Sequence, residues 1–364
     1  MRKLALLLGS LLVVASASAK EVVPAPVVVE EAPVQVIEKE VIVYRDKEEG
    51  FRPNGYVDLQ YRYYGETETQ DGTDWNGNNK YGRLQLQGKI NMTEKQALEY
   101  RVRDFNKFTS ENSKVGGKTG DDTRLRYTYN HGLLGDSKVD FTSRVEARDN
   151  NNARHLEYQA RFNFAEYMFN NDFVKTTNFV VAPKYRHVFA DEDDFSDEYD
   201  NQLGVDLYTM HELPWGFSFE FNLYTTQHFY GADQIVNGKI RNGEATWDEK
   251  DKNFTVDVEA YIYNTTNLYT NGKVSVDFNF EGGYDTYSWA KEKAFLNKSI
   301  TSQKHAAYQL YALPTIQVNY QATPSVKVYA AAGAEYRNWN ITAESEASNW
   351  RWQPTVFAGF RTSF

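Results

Sequence analysis

Apolar and polar residues alternate along most of this chain, in a series of segments that begins after Pro53. Successive side chains of a β-strand point to opposite faces, so each segment predicts a strand with one apolar face. In the first segment Val57 and Leu59 share a face, and Asp58 and Arg62 occupy the other. The succession predicts an up-and-down all-β fold. A soluble β-sandwich also alternates, so periodicity alone fits both architectures.

About fourteen segments of this kind follow one another. They cover residues 57–63, 83–90, 98–103, 124–129, 138–148, 156–164, 179–186, 203–207, 217–223, 254–262, 274–280, 308–318, 326–334 and 350–364. We therefore predict an antiparallel transmembrane β-barrel of about 14 strands. An even number of strands places both ends of the barrel on the periplasmic side.

Composition narrows the class of membrane protein. The mean hydropathy is -0.66, and no long apolar run occurs after the N-terminus. Only helices and closed barrels satisfy every backbone polar group in lipid, so a membrane protein with this hydropathy has to be a barrel. The aromatic content of 15% fits this prediction, because Tyr and Trp collect at the two membrane interfaces of such barrels.

The predicted connections differ in length. Short turns are expected at residues 91–96, 213–216 and 321–325, and long polar loops at residues 66–79, 110–122, 231–250 and 290–302. Short periplasmic turns opposite long outer loops are typical of outer-membrane barrels and favour a barrel over a sandwich. The turn at residues 166–177 is longer than this scheme predicts. The longest loop, residues 231–250, is our first candidate for a loop that folds inward and narrows the channel.

The N-terminus predicts export from the cytoplasm. Arg2 and Lys3 precede an apolar run that ends at Val14, and small residues follow up to Ala19. This pattern is typical of a secretory signal peptide, residues 1–19, cleaved after Ala19. The apolar run is shorter than the ~20 residues that a transmembrane helix needs. Residues 20–50, rich in Val, Pro and Glu, predict a periplasmic tether before a barrel of residues 51–364, with a pore plug or a cell-wall contact as alternatives.

The chain ends on an amphipathic strand. From Trp350 onward alternate residues are apolar, and the last residue is Phe364. A final strand that ends on an aromatic residue looks like the assembly signal of bacterial outer-membrane barrels. We interpret Phe364 as that signal and expect the barrel assembly machinery to be a partner. The predicted localisation is the outer membrane, with lipopolysaccharide around the barrel.

Charged residues on the inward faces of the strands are unevenly distributed. The early strands carry a basic wall of Arg62, Arg83, Arg101, Arg103, Arg124, Arg126, Arg144, Arg161 and Arg186, and the later strands an acidic wall of Asp206, Glu220, Asp257, Glu259, Asp277, Glu281 and Glu335. Each desolvated ion costs several kcal/mol, so we expect water between these walls. Opposed walls create a transverse field that favours polar solutes.

The alternative is that these charges pair across neighbouring strands inside a narrow, filled barrel. Fourteen strands exceed the ~8 whose interior side chains can fill, which favours an open pore.

Other function classes find little support in the sequence. The net charge of -10 argues against nucleic acid as a partner. The six histidines lie without metal-ligand spacing, and no motif of a rim protease or lipase is recognisable. We therefore expect no enzyme activity, no metal and no cofactor.

Several segments resemble those of a known family, the fusobacterial major outer-membrane porins (FomA). The similar segments are KLALLLGSLLVV in the leader, VIVYRDKE from Val41, RPNGYVDLQYRYYGE from Arg52, EGGYDTY from Glu281, VKVYAAAGAEYRN from Val326 and WRWQPT from Trp350. The resemblance implies a water-filled general diffusion porin for small hydrophilic solutes and ions. It also implies a voltage-sensitive homotrimer that serves as an adhesin towards bacterial or host surfaces.

Two alternatives to a general porin remain. A substrate-specific channel would use inward-facing aromatic residues as a path for sugars, and the candidates are Tyr208, Tyr224, Tyr261, Tyr263, Tyr311 and Tyr329. A mainly adhesive or structural barrel would depend on its outer loops instead.

Overall fold

A computed structural model describes residues 50–69, 80–106, 120–150, 153–190, 198–242, 244–294, 304–342 and 345–364. These residues form fourteen strands: β1 Asn54–Tyr64, β2 Tyr81–Asn91, β3 Gln96–Asn106, β4 Gly120–Leu133, β5 Asp140–Asn150, β6 Ala153–Asn163, β7 Lys175–Phe189, β8 Asp200–Glu212, β9 Phe217–Arg241, β10 Glu244–Asn271, β11 Val274–Ala294, β12 Lys304–Gln321, β13 Val326–Ile341 and β14 Ala347–Ser363. Two short 3-10 helices, Ala165–Tyr167 and Pro214–Gly216, lie in turns. No helix in these ranges is long and apolar enough to cross a membrane.

The strands form one closed antiparallel barrel in chain order. Each strand pairs with its neighbours in sequence, and β1 closes the barrel by pairing with β14, from Tyr56 opposite Ser363 to Tyr64 opposite Thr355. The backbone of Phe364 exchanges two further hydrogen bonds with Gly55, of 3.0 and 3.1 Å. The predicted fold class and strand number are confirmed. The chain begins and ends the barrel at the same end, which we call the terminal rim.

Burial in this barrel is inverted relative to a soluble protein. The largest fully buried side chains are polar and lie inside, namely Gln159, Gln353, Glu157, Asn338, Thr355 and Asp206. Apolar side chains such as Leu125, Leu156, Leu203, Ile316 and Val356 stand exposed on the outer surface. An apolar outside around a polar inside is the arrangement of a transmembrane barrel. The fold thus supports the predicted outer-membrane localisation.

Residues 231–250 are not a loop, so that prediction was wrong. Residues 231–241 continue β9 and residues 244–250 begin β10; these strands run for 25 and 28 residues and pair up to Arg241 opposite Glu244. The tip bends at Asn242, whose φ of 52° is one that Asn tolerates better than most residues. The alternation used to find strands weakens here because few residues are apolar. The candidate inward-folding loop is therefore a paired hairpin.

This hairpin also contacts the extended end of β11. Val236 pairs with Ala294, and the side chain of Asn237 binds the Glu292 carboxylate at 2.6 Å. The side chain of Asn253 both donates to and accepts from the Glu292 backbone, at 3.2 and 3.0 Å. The outer parts of β9, β10 and β11, the three longest strands, thus bind one another where they extend past the other strands.

Several predicted features lie wholly or partly outside the described residues. Ala19, the signal peptide and nearly all of the tether precede residue 50. Most of the predicted loops at residues 66–79, 110–122 and 290–302 also fall there. The connection at residues 166–177 is long as predicted, and within it Asn170 forms an isolated bridge with Lys175.

A charge placed on the outer surface tests which face meets lipid. Ile316 is 44% exposed on the outside of β12, and its neighbour Gln317 faces the lumen. We expect Ile316→Arg to lower the free energy of unfolding by about 2–4 kcal/mol, because arginine is costly near the bilayer midplane. Chemical unfolding in lipid vesicles measures this change. The matched control Gln317→Arg should cost less than half as much, and an equal cost in both variants would contradict a lipid-facing outer surface.

Candidate functional site

A cavity of about 730 Å³ occupies the lumen of the barrel. Its lining combines eight basic side chains with seven carboxylates. The basic residues are Arg101, Arg103, Arg124, Arg126, Arg144, Arg148, Lys184 and Arg186, and the acidic residues are Glu146, Glu157, Asp206, Glu220, Asp257, Glu259 and Asp285. The basic residues come from β3 to β7, and the last four of these carboxylates come from β9 to β11.

The structure brings only part of each predicted wall to this cavity. The lining includes Arg101, Arg103, Arg124, Arg126, Arg144 and Arg186 from the basic set, with Asp206, Glu220, Asp257 and Glu259 from the acidic set. The predicted residues that do not line it are Arg62, Arg83, Arg161, Asp277, Glu281 and Glu335.

Strand register places the arginines side by side. Arg124 lies directly opposite Arg101 on β3 and directly opposite Arg148 on β5. Like charges in direct cross-strand pairs repel each other, so this row needs carboxylates nearby. Asp122 supplies one, because it accepts hydrogen bonds from Arg101 at 3.1 Å and from Arg148 at 2.9 and 3.2 Å. Arg124 itself has no carboxylate within 4 Å among the described residues.

We call the side of the lumen formed by β3 to β7 the basic half. Two further carboxylates lie within it. Glu146 accepts from Arg126 and contacts His155 at 3.1 Å. Glu157 pairs with Arg186 at 2.6 Å and with Arg144 at 3.5 Å. The sequence pattern places Glu146 and Glu157 on the inward face but does not indicate that they pair with the arginines. The basic half is therefore a partly neutralised network with an excess of positive charge.

Asp122 is a residue that sequence analysis missed. It lies in phase with Arg124 and Arg126 on β4, but the predicted strand began two residues later. Extending the alternation backwards from Arg124 would have placed Asp122 on the same inward face.

A deeply buried ion pair joins the two halves. Lys184 on β7 and Asp206 on β8 lie 2.6 Å apart, and their side chains are 2% and 1% exposed. Gln159 donates to Asp206 at 2.9 Å and the Tyr208 hydroxyl donates to it at 3.1 Å. Asp206, a member of the predicted acidic wall, is thus neutralised by a lysine.

We call the side of the lumen formed by β8 to β13 the acidic half. Most of its carboxylates are held by a different kind of contact. The Tyr224 hydroxyl donates to Glu259 at 2.6 Å, and the Tyr263 hydroxyl donates to Glu220 at 2.9 Å. Asn222 donates to both carboxylates, at 3.3 and 2.7 Å respectively. No Lys or Arg among the described residues lies within ion-pair distance of Glu220 or Glu259. Neutral donors orient these groups and leave their charge uncompensated.

The same arrangement recurs along the acidic half. Ser288 donates to Asp257, Tyr311 donates to Glu281, and Asn319 donates to Asp277 at 2.6 Å. Glu335 differs, because Arg337 on the same strand pairs with it. Arg337 was absent from the predicted basic wall.

The six inward tyrosines act mainly as donors to acidic residues. Besides the contacts of Tyr208, Tyr224, Tyr263 and Tyr311, the Tyr329 hydroxyl donates to Asp58 at 2.9 Å. The Tyr261 hydroxyl donates to the backbone oxygen of Asp285 at 2.7 Å. These contacts use the tyrosines to position acidic residues. A path of stacking platforms would also need free ring faces in a row, but cationic groups lie over the rings of Tyr208, Tyr224 and Tyr311.

The arginines away from the cavity pack on aromatic rings. The Arg62 guanidinium lies 4.3 Å from the Phe357 ring centroid, and Arg83 lies 6.0 Å from that of Tyr64. Arg161 lies 4.4 Å from the Tyr208 centroid and donates to Gln159 at 2.7 Å. Within the described ranges no group of three or more acidic or histidine residues is arranged to hold a metal ion.

Comparison with solved structures finds other outer-membrane proteins at low similarity. OmpT of Vibrio cholerae, in a trimer form, is 10% identical with a TM-score of 0.35, over 86% of this chain and 99% of that one. The NanC porin is 10% identical with a TM-score of 0.33, over 85% and 100% of the chains. An anion-selective porin from Comamonas acidovorans is 9% identical with a TM-score of 0.34, over 86% and 99%.

Likenesses this distant carry no functional inference. No family model and no curated protein matches the sequence. The resemblance to the fusobacterial family therefore stays a prediction.

The Lys184 and Asp206 pair provides a test of the buried network. We expect Asp206→Asn to lower the free energy of unfolding by about 3–5 kcal/mol, because it leaves a buried ammonium without its counter-charge. Chemical unfolding in lipid vesicles measures the loss, and adding Lys184→Met should recover part of it.

The control lies on the same two strands. Lys175 and Glu212 form an exposed pair at 3.5 Å, so Lys175→Gln should cost only about 0–1 kcal/mol. A loss in Asp206→Asn no larger than in this control would show that the buried pair is not a structural link.

Proposed function

We propose that this protein is an outer-membrane general diffusion porin, a water-filled channel for passive passage of small hydrophilic solutes and ions. The observation that carries the proposal is the lumen cavity with eight basic and seven acidic side chains. Burying so many ionised groups in a dry interior costs several kcal/mol each, and only part of them are paired. A lumen of this kind is stable when water solvates the unpaired charges.

The distribution of charge determines how solutes pass. Positive charge is in excess on the side of β3 to β7, and Glu220 and Glu259 carry uncompensated negative charge on the side of β9 and β10. The resulting field runs across the channel rather than along it. Polar solutes align with this field, whereas an apolar solute has to displace ordered water without compensation.

The filled-barrel alternative fits one half better than the other. Carboxylates pair with arginines across strands in the basic half, as that alternative expects. In the acidic half, Glu220, Asp257 and Glu259 have neutral partners only, among the described residues. Self-neutralised side chains filling the barrel would not leave this imbalance.

A homotrimer is the oligomeric state that we propose. The outer surface has an apolar depression of about 650 Å³ that crosses β12, β13, β14, β1 and β2. Its lining includes Ala330 and Ala358, between larger residues such as Leu59, Val318 and Phe360. Small residues let transmembrane surfaces approach closely, so this depression suits contact with a neighbouring barrel.

The terminal rim faces the periplasm in this proposal, and the β9 and β10 hairpin extends outside the cell. Voltage sensitivity and adhesion, which the family resemblance implies, stay predictions. Adhesion would place the partner contacts on the outer connections and on this hairpin.

Single-residue neutralisation on each side of the lumen tests the channel. Arg124→Gln should shift the selectivity of the channel towards cations, and Glu259→Gln should shift it towards anions. Each shift should change the permeability ratio about fourfold, because a unit charge about 10 Å from an ion in water contributes roughly 0.4 kcal/mol, with opposite signs for a cation and an anion. Reversal potentials in a planar bilayer under a salt gradient measure the ratios.

The two variants serve as controls for each other, since a general disturbance of the pore would move both ratios in the same direction. Absence of channels in the wild-type protein would contradict the proposed function itself.

A bulky residue in the apolar depression tests the trimer. We expect Ala330→Trp to reduce the trimer fraction by filling the contact surface, as measured on native gels of detergent-extracted protein. Val205→Trp is the matched control, because Val205 is also exposed on the outer surface but lies on β8. An unchanged trimer fraction in Ala330→Trp would contradict this location, and a monomeric wild type would contradict the trimer.

A further inference from the structure

The basic half and the acidic half of the lumen face the same cavity. Each has charged groups that no oppositely charged side chain neutralises. Arg101, Arg124 and Arg144 line the basic side, and Glu220 and Glu259 line the acidic side. A solute in this space therefore meets hydrogen-bond donors on one side and charged acceptors on the other.

The basic side offers free donors for an anionic group. Arg124 has no carboxylate within 4 Å among the described residues, although it lies between Arg101 and Arg148. Guanidinium groups bind carboxylates through paired N–H donors, so a carboxylate is a suitable ligand for this side.

The acidic side offers oriented acceptors for a cationic group. Tyr224 and Asn222 both donate to Oε2 of Glu259, so no donor in the described part of the chain bonds to its Oε1. Glu220 also has neutral donors only, but one on each oxygen: Asn222 donates to its Oε1 and Tyr263 to its Oε2. Because the donors are neutral, they bring no positive charge to either carboxylate. An ammonium group is a suitable ligand for this side.

We propose that the lumen selects zwitterionic solutes, namely free amino acids and short peptides. This inference rests on the proposed channel function and names the class of solute that the channel favours. The carboxylate of the solute faces Arg101 and Arg124, and its ammonium group faces Glu220 and Glu259. The cavity of about 730 Å³ lies within the volume range of small-molecule sites, so an amino acid or a short peptide fits between the halves.

Solutes with a single charge lack this match. An anion is attracted to the arginines and repelled by Glu220 and Glu259, and a cation experiences the reverse. A neutral solute gains nothing from either side. The weak attractions to the two sides act together and give a zwitterion an advantage of about threefold or more.

Four derivatives of one amino acid separate these cases. Alanine is the zwitterion, alaninamide the cation, N-acetylalanine the anion and N-acetylalaninamide the neutral form. Uptake of each into vesicles that contain the full-length purified protein is measured at pH 6.5 with equal salt on both sides. We expect alanine to enter about threefold faster than each of the other three.

Variants on each side assign the effect to its residues. Glu220→Gln with Glu259→Gln should remove the advantage of alanine over N-acetylalanine. Arg124→Gln should reduce its advantage over alaninamide. Glu99→Gln is the matched control, because Glu99 pairs with Lys89 at 3.7 Å and does not line the cavity. Uptake of the neutral derivative confirms that each variant forms a channel.

Two results distinguish failure of this inference from failure of the proposed function. Equal uptake of all four derivatives, in a protein that conducts ions, would overturn zwitterion selection and leave the general channel standing. Absence of uptake together with absence of conductance would overturn the channel itself.

Discussion

Closure of the backbone ladder is the constraint on which the rest of this structure depends. In lipid an unpaired N–H or C=O group costs several kcal/mol, so a membrane sheet cannot keep a free edge. Here β1 and β14 remove the last edge, and the pairing of Gly55 with the terminal Phe364 extends the seam to the end of the chain. Once the ring is closed, each strand has one register. Every side chain is then assigned either to lipid or to the lumen.

The lumen stabilises its charges in two different ways. In the basic half, Asp122 and Glu157 each bridge two arginines that would otherwise repel each other, and Glu146 pairs with Arg126. In the acidic half, hydroxyl and amide groups hold carboxylates such as Glu259 without neutralising them. The first arrangement fixes the arginines in a network, and the second preserves charge at a fixed position. Their combination gives a channel whose field is built into the fold.

Much of this architecture follows from local patterns in the sequence. Period-two alternation identified all fourteen strands, because one face of each strand meets lipid and the other meets water. Where strands leave the membrane, that contrast disappears. The outer parts of β9 and β10 therefore looked like a loop, although pairing of Arg241 with Glu244 makes them a hairpin. Alternation also assigns a face but no partner, so it could not predict that Lys184 neutralises Asp206 or that Arg337 accompanies Glu335. Those contacts depend on side-chain reach and on the stagger between strands.

The register of β3, β4 and β5 has a consequence for how such a chain can change over evolution. Arg124 lies opposite Arg101 and Arg148 because each strand is locked between two neighbours in a closed ring. Inserting or deleting one residue within β4 would turn Arg124 and Arg126 towards the hydrocarbon and bring Leu125 inside. The charged lumen can therefore be altered by exchanging residues, whereas a one-residue change in strand length has to be absorbed by a local register shift such as the one between Asn130 and Gly132. The connections beyond the rims are free of that restriction, so the interior and the outer surface of this barrel can diverge at different rates.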